Sequence, residues 1–247
     1  MDTEHARRGA DSKPSGAAAG RTALVTGGTG GLGAAVTARF LAEGWRVVVP
    51  WIVPAERDRM PAHDRLELVR ADLFDDGQVA SCVRAAANEP GAPLRAVINL
   101  VGGFAMGGRT HETPIADFDR QLRINLRATY LTCHHALPHL MISGGAVVCV
   151  SSMAAVRPFP GAIGYVTAKA AVLAMVDAMA VEYAGDGVRV NAVLPSVIDT
   201  PANRAEQPDA DHSRWVRPER IAEVIHFLCR DEADAVSGAH VTVPGRA

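Results

Sequence analysis

The sequence predicts an α/β fold: a doubly wound parallel sheet in a single domain. Three observations point there. Seven short β-rich runs alternate with helix-length segments over most of the 247 residues, and such alternation builds parallel sheets through right-handed crossovers. The first run passes straight into a glycine-rich turn and then a helix. The chain is 48% hydrophobic and 21% charged, the balance of an ordinary globule with a sizeable core.

Residues 1–20 are rich in Ala, Gly, Ser and charge, without periodicity. They read as a disordered tail preceding a domain at 21–247. The predicted strands are 22–26, 46–50, 66–70, 95–101, 146–150, 188–194 and 240–243. Several are apolar without alternation, as strands covered on both faces are. Helices are predicted at 32–43, 75–88, 114–141, 163–184 and 218–229. Gly44 suits a helix C-terminus, and Pro218 suits a first turn. The polar stretch 200–217, with Pro201 and Pro208, is the longest irregular segment and reads as part of a lid spanning about 196–217.

The totals exclude some function classes. Net charge is -2 and basic runs are short, so neither a nucleic-acid nor an anionic-membrane surface is expected. No apolar run is expected to reach the roughly 18 residues of a membrane span. Cys82, Cys133, Cys149 and Cys229 form no Cys-x-x-Cys pair and read as core thiols in a reducing, cytosolic compartment. His134, His135 and His139 lack a third ligand at zinc spacing and read as helix-face residues, so no metal is expected.

The glycine-rich turn is Thr26-Gly-Gly-Thr-Gly-Gly-Leu-Gly33. Glycines let backbone N–H groups approach a ligand unobstructed, and the helix N-terminus behind them favours a pyrophosphate. This predicts a dinucleotide site. The acidic residue expected at the end of the second strand is absent, and Trp51 stands there instead. NAD and NADP both stay open, with a slight lean to NADPH because no carboxylate opposes a 2′-phosphate.

The only lysines are Lys13 and Lys169, and Tyr165 lies four residues before Lys169 on a predicted helix. Both therefore face the same side. Tyrosine has a pKa of about 10, and an adjacent ammonium lowers it. A shift of about 3 units needs roughly 4 kcal/mol of differential stabilisation.

Taken together these residues resemble the short-chain dehydrogenase/reductase family, over about residues 21–245. Ser152 precedes Tyr165 by the family's usual spacing, and Asn125 matches the helix asparagine completing its tetrad. The resemblance implies a Rossmann-type fold and an NAD(P)-dependent oxidoreductase moving a hydride between nicotinamide and a small carbonyl or alcohol substrate. It assigns catalysis to Asn125, Ser152, Tyr165 and Lys169. It implies cofactor contacts at Gly27, Thr29, Gly31, Leu32, Gly33, Trp51, Asp72, Leu73, Asn99, Gly102, Tyr165, Lys169, Pro195, Ile198 and Thr200. The alternatives for Asp72 and Thr200 are a helix cap and a plain loop start. Ser196 stands where the family's motif has glycine. The segments 102–107 and 199–215 also resemble dihydropteridine reductases, which makes a quinonoid pterin reductase the second reading. A non-catalytic cofactor-binding regulator is the third. The helix 163–184 is apolar nearly all round, more than one sheet face can cover. It predicts a homodimer or homotetramer.

Overall fold

The computed structural model describes residues 20–246. The expected tail at 1–20 lies outside the described residues except for Gly20. Seven parallel strands form one sheet in the order β3-β2-β1-β4-β5-β6-β7. They are β1 (Thr22–Thr26), β2 (Arg46–Trp51), β3 (Leu66–Arg70), β4 (Leu94–Asn99), β5 (Gly145–Val150), β6 (Val188–Pro195) and β7 (His240–Val243). The chain reverses its direction of travel at β1, which pairs with both β2 and β4. Such a switch point opens a crevice at the strands' C-terminal ends. Thr26 and Asn99 sit side by side there in register.

The helices are α1 (Gly31–Ala42), α2 (Pro54–Arg57), α3 (Asp76–Ala87), α4 (Ile115–Leu122), α5 (Ala128–Ser143), α6 (Ile163–Glu182), α7 (Pro201–Glu206) and α8 (Pro218–Cys229). Valines of β2 and β5 point alternately to the two faces, so each strand feeds two cores. On one face Val48, Val147, Leu131, Leu140, Val172 and Val176 pack together. On the other, Val47, Val148, Phe40, Ile221 and Ile225 do so. Arg189 of β6 donates to the Leu228 carbonyl at 2.7 Å and the Arg230 carbonyl at 3.0 Å, satisfying acceptors at the end of α8.

Three sequence expectations need correction. The helix expected at 114–141 is interrupted: a π turn, Arg123–Arg127, separates α4 from α5. The stretch 200–217 is not irregular, since it holds α7 and a 3-10 turn at His212–Arg214. Its base is closed by backbone bonds from Asp199 N to Val216 O (2.8 Å) and Val216 N to Val197 O (3.0 Å). Finally, α6 is long and apolar enough to cross a membrane by length and composition. It carries Lys169 and Asp177, and Val172, Leu173, Val176 and Met179 are buried in the core.

Between α1 and α8, His226 is 2% exposed. Its ring meets Phe40 edge-on at 5.0 Å, and its Nε2 has no hydrogen-bond partner. Burial lowers its pKa below the ordinary 6.5, with the nearby Arg39 guanidinium adding to the shift. The folded state therefore prefers neutral imidazole more than the unfolded chain does. The resulting stability is fully present above about pH 6.5 and is lost as pH falls below that value. His226→Phe keeps a ring and removes the titration. Thermal melts at about pH 7.5 and 5.5 should show a smaller acid loss of Tm in the variant than in the wild type. Equal losses would exonerate His226.

Candidate active site

The glycine turn leaves β1 at Thr26 and enters α1 at Gly31. Gly27 turns the chain with φ of +68°, a region that glycine adopts without Cβ strain. A Cβ on Gly33 would lie 2.0 Å from the Gly27 carbonyl oxygen, so that position admits only glycine. The N-cap of α1 is Gly30, which offers no side chain, and the first turn has no acidic residue. Gly30 N donates to the Gly27 carbonyl at 3.1 Å, and no side chain of the cap or first turn competes for an anion at this helix N-terminus. Leu32 faces the core beside Val36 and Phe40. These features fit a dinucleotide pyrophosphate.

At the far end of the turn, the Thr29 hydroxyl donates to Glu56 Oε2 at 2.8 Å. Glu56 lies on α2, just past the end of β2. The Arg57 guanidinium lies 4.7 Å from the Trp51 ring and pairs with Asp58. Asp72 Oδ1 accepts from Phe74 N at 2.9 Å. The cap of α3 is Asp75, which accepts from Gln78 N, so Asp72 is not the helix cap. Leu73 packs its side chain on the core. Asn99, at the end of β4, turns its amide inward to the Cys133 sulfur at 3.4 Å.

The four tetrad candidates converge from different elements. Asn125, 1% exposed, sits within the π turn. π-Bulges inside helices often occur at functional sites. Its amide donates to the Gly103 carbonyl (2.9 Å) and to the backbone and side-chain oxygens of Gln121 (both 3.1 Å), while its Oδ1 accepts from Gly103 N (3.1 Å). Lys169 on α6 is 5% exposed. Its Nζ donates to the Val150 carbonyl at 3.0 Å. A Cβ on Gly102 would lie 2.7 Å from Asn125 Oδ1 and 3.1 Å from Lys169 Nζ. Gly102 therefore leaves the space that these two head groups occupy.

Tyr165 is half-buried one turn before Lys169, whose Nζ is 5.9 Å from the centre of its ring. Burial raises the Tyr165 pKa, and the neighbouring Ser152 hydroxyl offsets this in part. The net shift is therefore upward, opposite to the depression expected from Lys169, because burial dominates. Burial lowers the Lys169 amine to about 8, against a weaker upward pull from Cys149. Ser152 begins the 3-10 turn Met153–Ala155 and accepts from Ala154 N at 3.1 Å.

Pro195 ends β6, and Ile198 bridges to Val216. Thr200 N-caps α7, accepting from Asn203 N at 3.2 Å, so it starts a helix rather than a plain loop. Its Cγ2 lies 2.8 Å from where a Cβ on Gly31 would be, which sets this segment against the glycine turn. Ser196 needs no positive φ, since none of the described non-glycine residues has one.

Sequence reasoning assigned no role to four residues that the structure places at the candidate site. Ser151 donates to the Lys169 carbonyl at 2.8 Å, tying α6 to β5. Gln121 holds Asn125. Glu56 reaches Thr29. Phe104 meets the Tyr165 ring edge-on at 5.1 Å. Only Glu56 had a signal, as an acid shortly after the second strand.

Comparison with known proteins identifies the family. The family model described as Enoyl-(Acyl carrier protein) reductase matches residues 27–245. The chain is 35% identical to 2-(R)-hydroxypropyl-CoM dehydrogenase of Xanthobacter autotrophicus, covering 91% of this chain and 97% of that protein. It is 37% identical to cis-4-hydroxycyclohexanecarboxylate dehydrogenase of Sinomonas cyclohexanicum, covering 91% and 95%. The structure of 3-ketoacyl-(acyl-carrier-protein) reductase from Brucella melitensis complexed with NADH superposes with a TM-score of 0.84 at 27% identity, over 93% of this chain and 99% of that one. The structure of ElxO with NADP bound gives a TM-score of 0.85 at 25% identity, over 92% and 98%. The chain belongs to the short-chain dehydrogenase/reductase family and is an NAD(P)-dependent oxidoreductase that transfers a hydride between the nicotinamide and an alcohol or carbonyl substrate.

Proposed function

We propose that Tyr165 exchanges the proton with the reacting oxygen while Ser152 donates a hydrogen bond to it. The observation that carries this reading is the meeting of Gly102, Asn125 and Lys169 around one buried amine, one helical turn from Tyr165. The bound nicotinamide supplies or takes the hydride. In the reducing direction negative charge develops on the substrate oxygen, and preorganised donors stabilise it. Burial raises the Tyr165 pKa, so the phenol holds the proton that the reducing direction consumes, and the Ser152 hydroxyl works against that shift. Lys169, held by the Val150 carbonyl, has two further protons to donate, enough to anchor a ribose hydroxyl. Asn125 fixes the 102–103 backbone and keeps Lys169 from shifting towards it. The remaining expected cofactor contacts are assigned to the backbone of Gly27, Gly31, Leu32, Gly33, Leu73, Asn99, Pro195 and Ile198, with Trp51 and Asp72 at the adenosine end. Thr200 and the segment 196–217 act as the lid. Ser152 beside Tyr165 favours carbonyl chemistry over the quinonoid pterin reading, and the intact set argues against a non-catalytic regulator.

Tyr165→Phe removes the exchangeable proton with little change in packing. Turnover should fall at least about 100-fold while cofactor affinity persists. Near-wild-type turnover on a ketone or alcohol substrate would refute the assignment.

The slight lean to NADPH rested on a missing carboxylate. Glu56, bonded to Thr29, supplies one, and on that observation we reverse the lean and propose NAD(H) as the preferred form. A 2′-phosphate brings nearly two negative charges, and a carboxylate at that end of the turn repels them. Fluorescence titration should show tighter binding of NADH than of NADPH, with Glu56→Gln narrowing the gap by about tenfold, or 1.4 kcal/mol. Equal wild-type affinities would remove Glu56 from cofactor choice.

The four free buried thiols suit a cytosolic setting. A homodimer is proposed through α5 and α6. Tyr130 and Val181 are exposed there, and Leu122, Leu126, Tyr130, Ala171 and Met175 line a groove between the helices. Self-association about a two-fold axis buries this surplus apolar face. Light scattering should give at least twice the 26.0 kDa of one chain. A monomer at micromolar concentration would count against it.

A further inference from the structure

Two loops reach the site beside Tyr165, and both present apolar side chains to solvent. The loop after β4 carries Phe104, 49% exposed, and the loop between β5 and α6 carries Phe159, 43% exposed. The Phe104 ring stands perpendicular to that of Tyr165 at 5.1 Å, and Phe159 lies 6.3 Å from Phe104 at a tilt of 51°. Met106 and Val156, on the same two loops, are exposed as well. The loops are tied together: Gly107 N donates to the Gly161 carbonyl at 2.6 Å. Gly161 has φ of +83°, and a Cβ there would lie 2.7 Å from the Gly107 carbonyl oxygen. The tie therefore depends on glycine, and it holds the aromatic pair in a fixed relation to the phenol.

Exposed aromatic rings are costly to leave in water, and clustered ones mark binding surfaces. Small-molecule sites pair an apolar lining with a few placed polar groups. Here the polar groups are the hydroxyls of Ser152 and Tyr165, and the apolar lining is the Phe104–Phe159 pair. We propose that these two phenylalanines form a substrate-selecting wall that takes a ring, either aromatic or alicyclic, joined to or containing the reacting carbon. A flat or cyclic face covers both phenylalanines at once while its carbonyl oxygen stays at the phenol. A short acyclic ketone reaches the phenol but leaves the wall wet. The inference rests on Tyr165 being the acid/base group, and it assigns Phe104 and Phe159 to substrate choice.

The two residues separate selection from positioning. Phe104 touches Tyr165, so its loss also disturbs the phenol, whereas Phe159 contacts Phe104 and selects without that complication. The test measures kcat/KM of the wild type, Phe104→Ala and Phe159→Ala with acetophenone, cyclohexanone and butan-2-one. A parallel titration follows binding of the same ketones to enzyme carrying reduced cofactor, by nicotinamide fluorescence. The wild type should favour the ring ketones by at least about tenfold, as apolar pocket contacts allow. Phe159→Ala should lose that preference, with butan-2-one changed less than about threefold. Phe104→Ala should lose it too, along with some turnover on every ketone. Equal use of ring and acyclic ketones by the wild type overturns the proposal, as does a Phe159→Ala loss common to all three. Ring ketones that bind without turnover, with binding lost in Phe159→Ala, would uphold the wall and refute the Tyr165 assignment. Ketones that neither bind nor react would overturn the wall.

Discussion

An amine buried in a sheet-and-helix core must find acceptors or lose its proton, because burying an unpaired charge costs far more than one hydrogen bond returns. Lys169 imposes that condition on this molecule. The Val150 carbonyl at the end of β5 accepts a hydrogen bond from its Nζ. Ser151, the next residue, holds the Lys169 carbonyl, so strand and helix grip the lysine at both its backbone and its head. Position 102 must then lack a side chain, since a Cβ would meet both Lys169 Nζ and Asn125 Oδ1. Even so, burial brings the amine down to about 8. It is therefore a responsive group rather than a permanent charge, and its protonation shifts readily with what lies beside it.

The same constraint explains the break in the helix between α4 and α5. An unbroken α-helix keeps each backbone carbonyl engaged four residues on. Widening to a π turn at Arg123–Arg127 frees the Gln121 carbonyl to accept the Asn125 amide instead. The asparagine is then locked from both sides, by Gln121 and by the two Gly103 backbone groups. The sequence has no Gly or helix-stopping signal between residue 114 and Pro138, so a π turn, which keeps the chain helical, leaves no break to read. Asn125 was legible as a candidate from its motif, while the backbone device that holds it was not.

Legibility followed physical range. The strands were readable because β-branched runs bounded by turn residues have few other uses, and all seven lie within two residues of expectation. The glycine turn was readable because its constraint is local: Gly27 needs a positive φ, and Gly33 has no room for a Cβ. Contacts between segments far apart in sequence were not. The Thr29–Glu56 bond depends on how α2 folds back after β2, and α2, at four residues, has too little periodicity to announce itself. Likewise the perturbation of Tyr165 was misjudged from spacing alone. Four residues set Tyr165 and Lys169 on one face, but burial acts more strongly on each than they act on one another.

The segment 196–217 shows how a local cap sets a contact at the glycine turn. Thr200 uses its hydroxyl to start α7, bonding Asn203 N, which directs its methyl group onto Gly31. Asn203 in turn donates to the Ile198 carbonyl, and residues 197–199 pair with Val216 at the base of the segment. The Arg204 guanidinium bonds Asp199 through two nitrogens and holds its carboxyl below the ordinary range. The segment is thus closed at its base, internally braced, and tied to the residues after β7 by Arg246 N donating to the Arg214 carbonyl at 3.2 Å and Ser196 Oγ donating to the Pro244 carbonyl at 2.7 Å. The Thr200 methyl meets the glycine turn at Gly31, a van der Waals contact weaker than the backbone pairing that holds the segment's base. Cap and contact therefore rest on one side chain: the Thr200 hydroxyl starts α7, and its methyl group occupies the space that a Cβ on Gly31 would need.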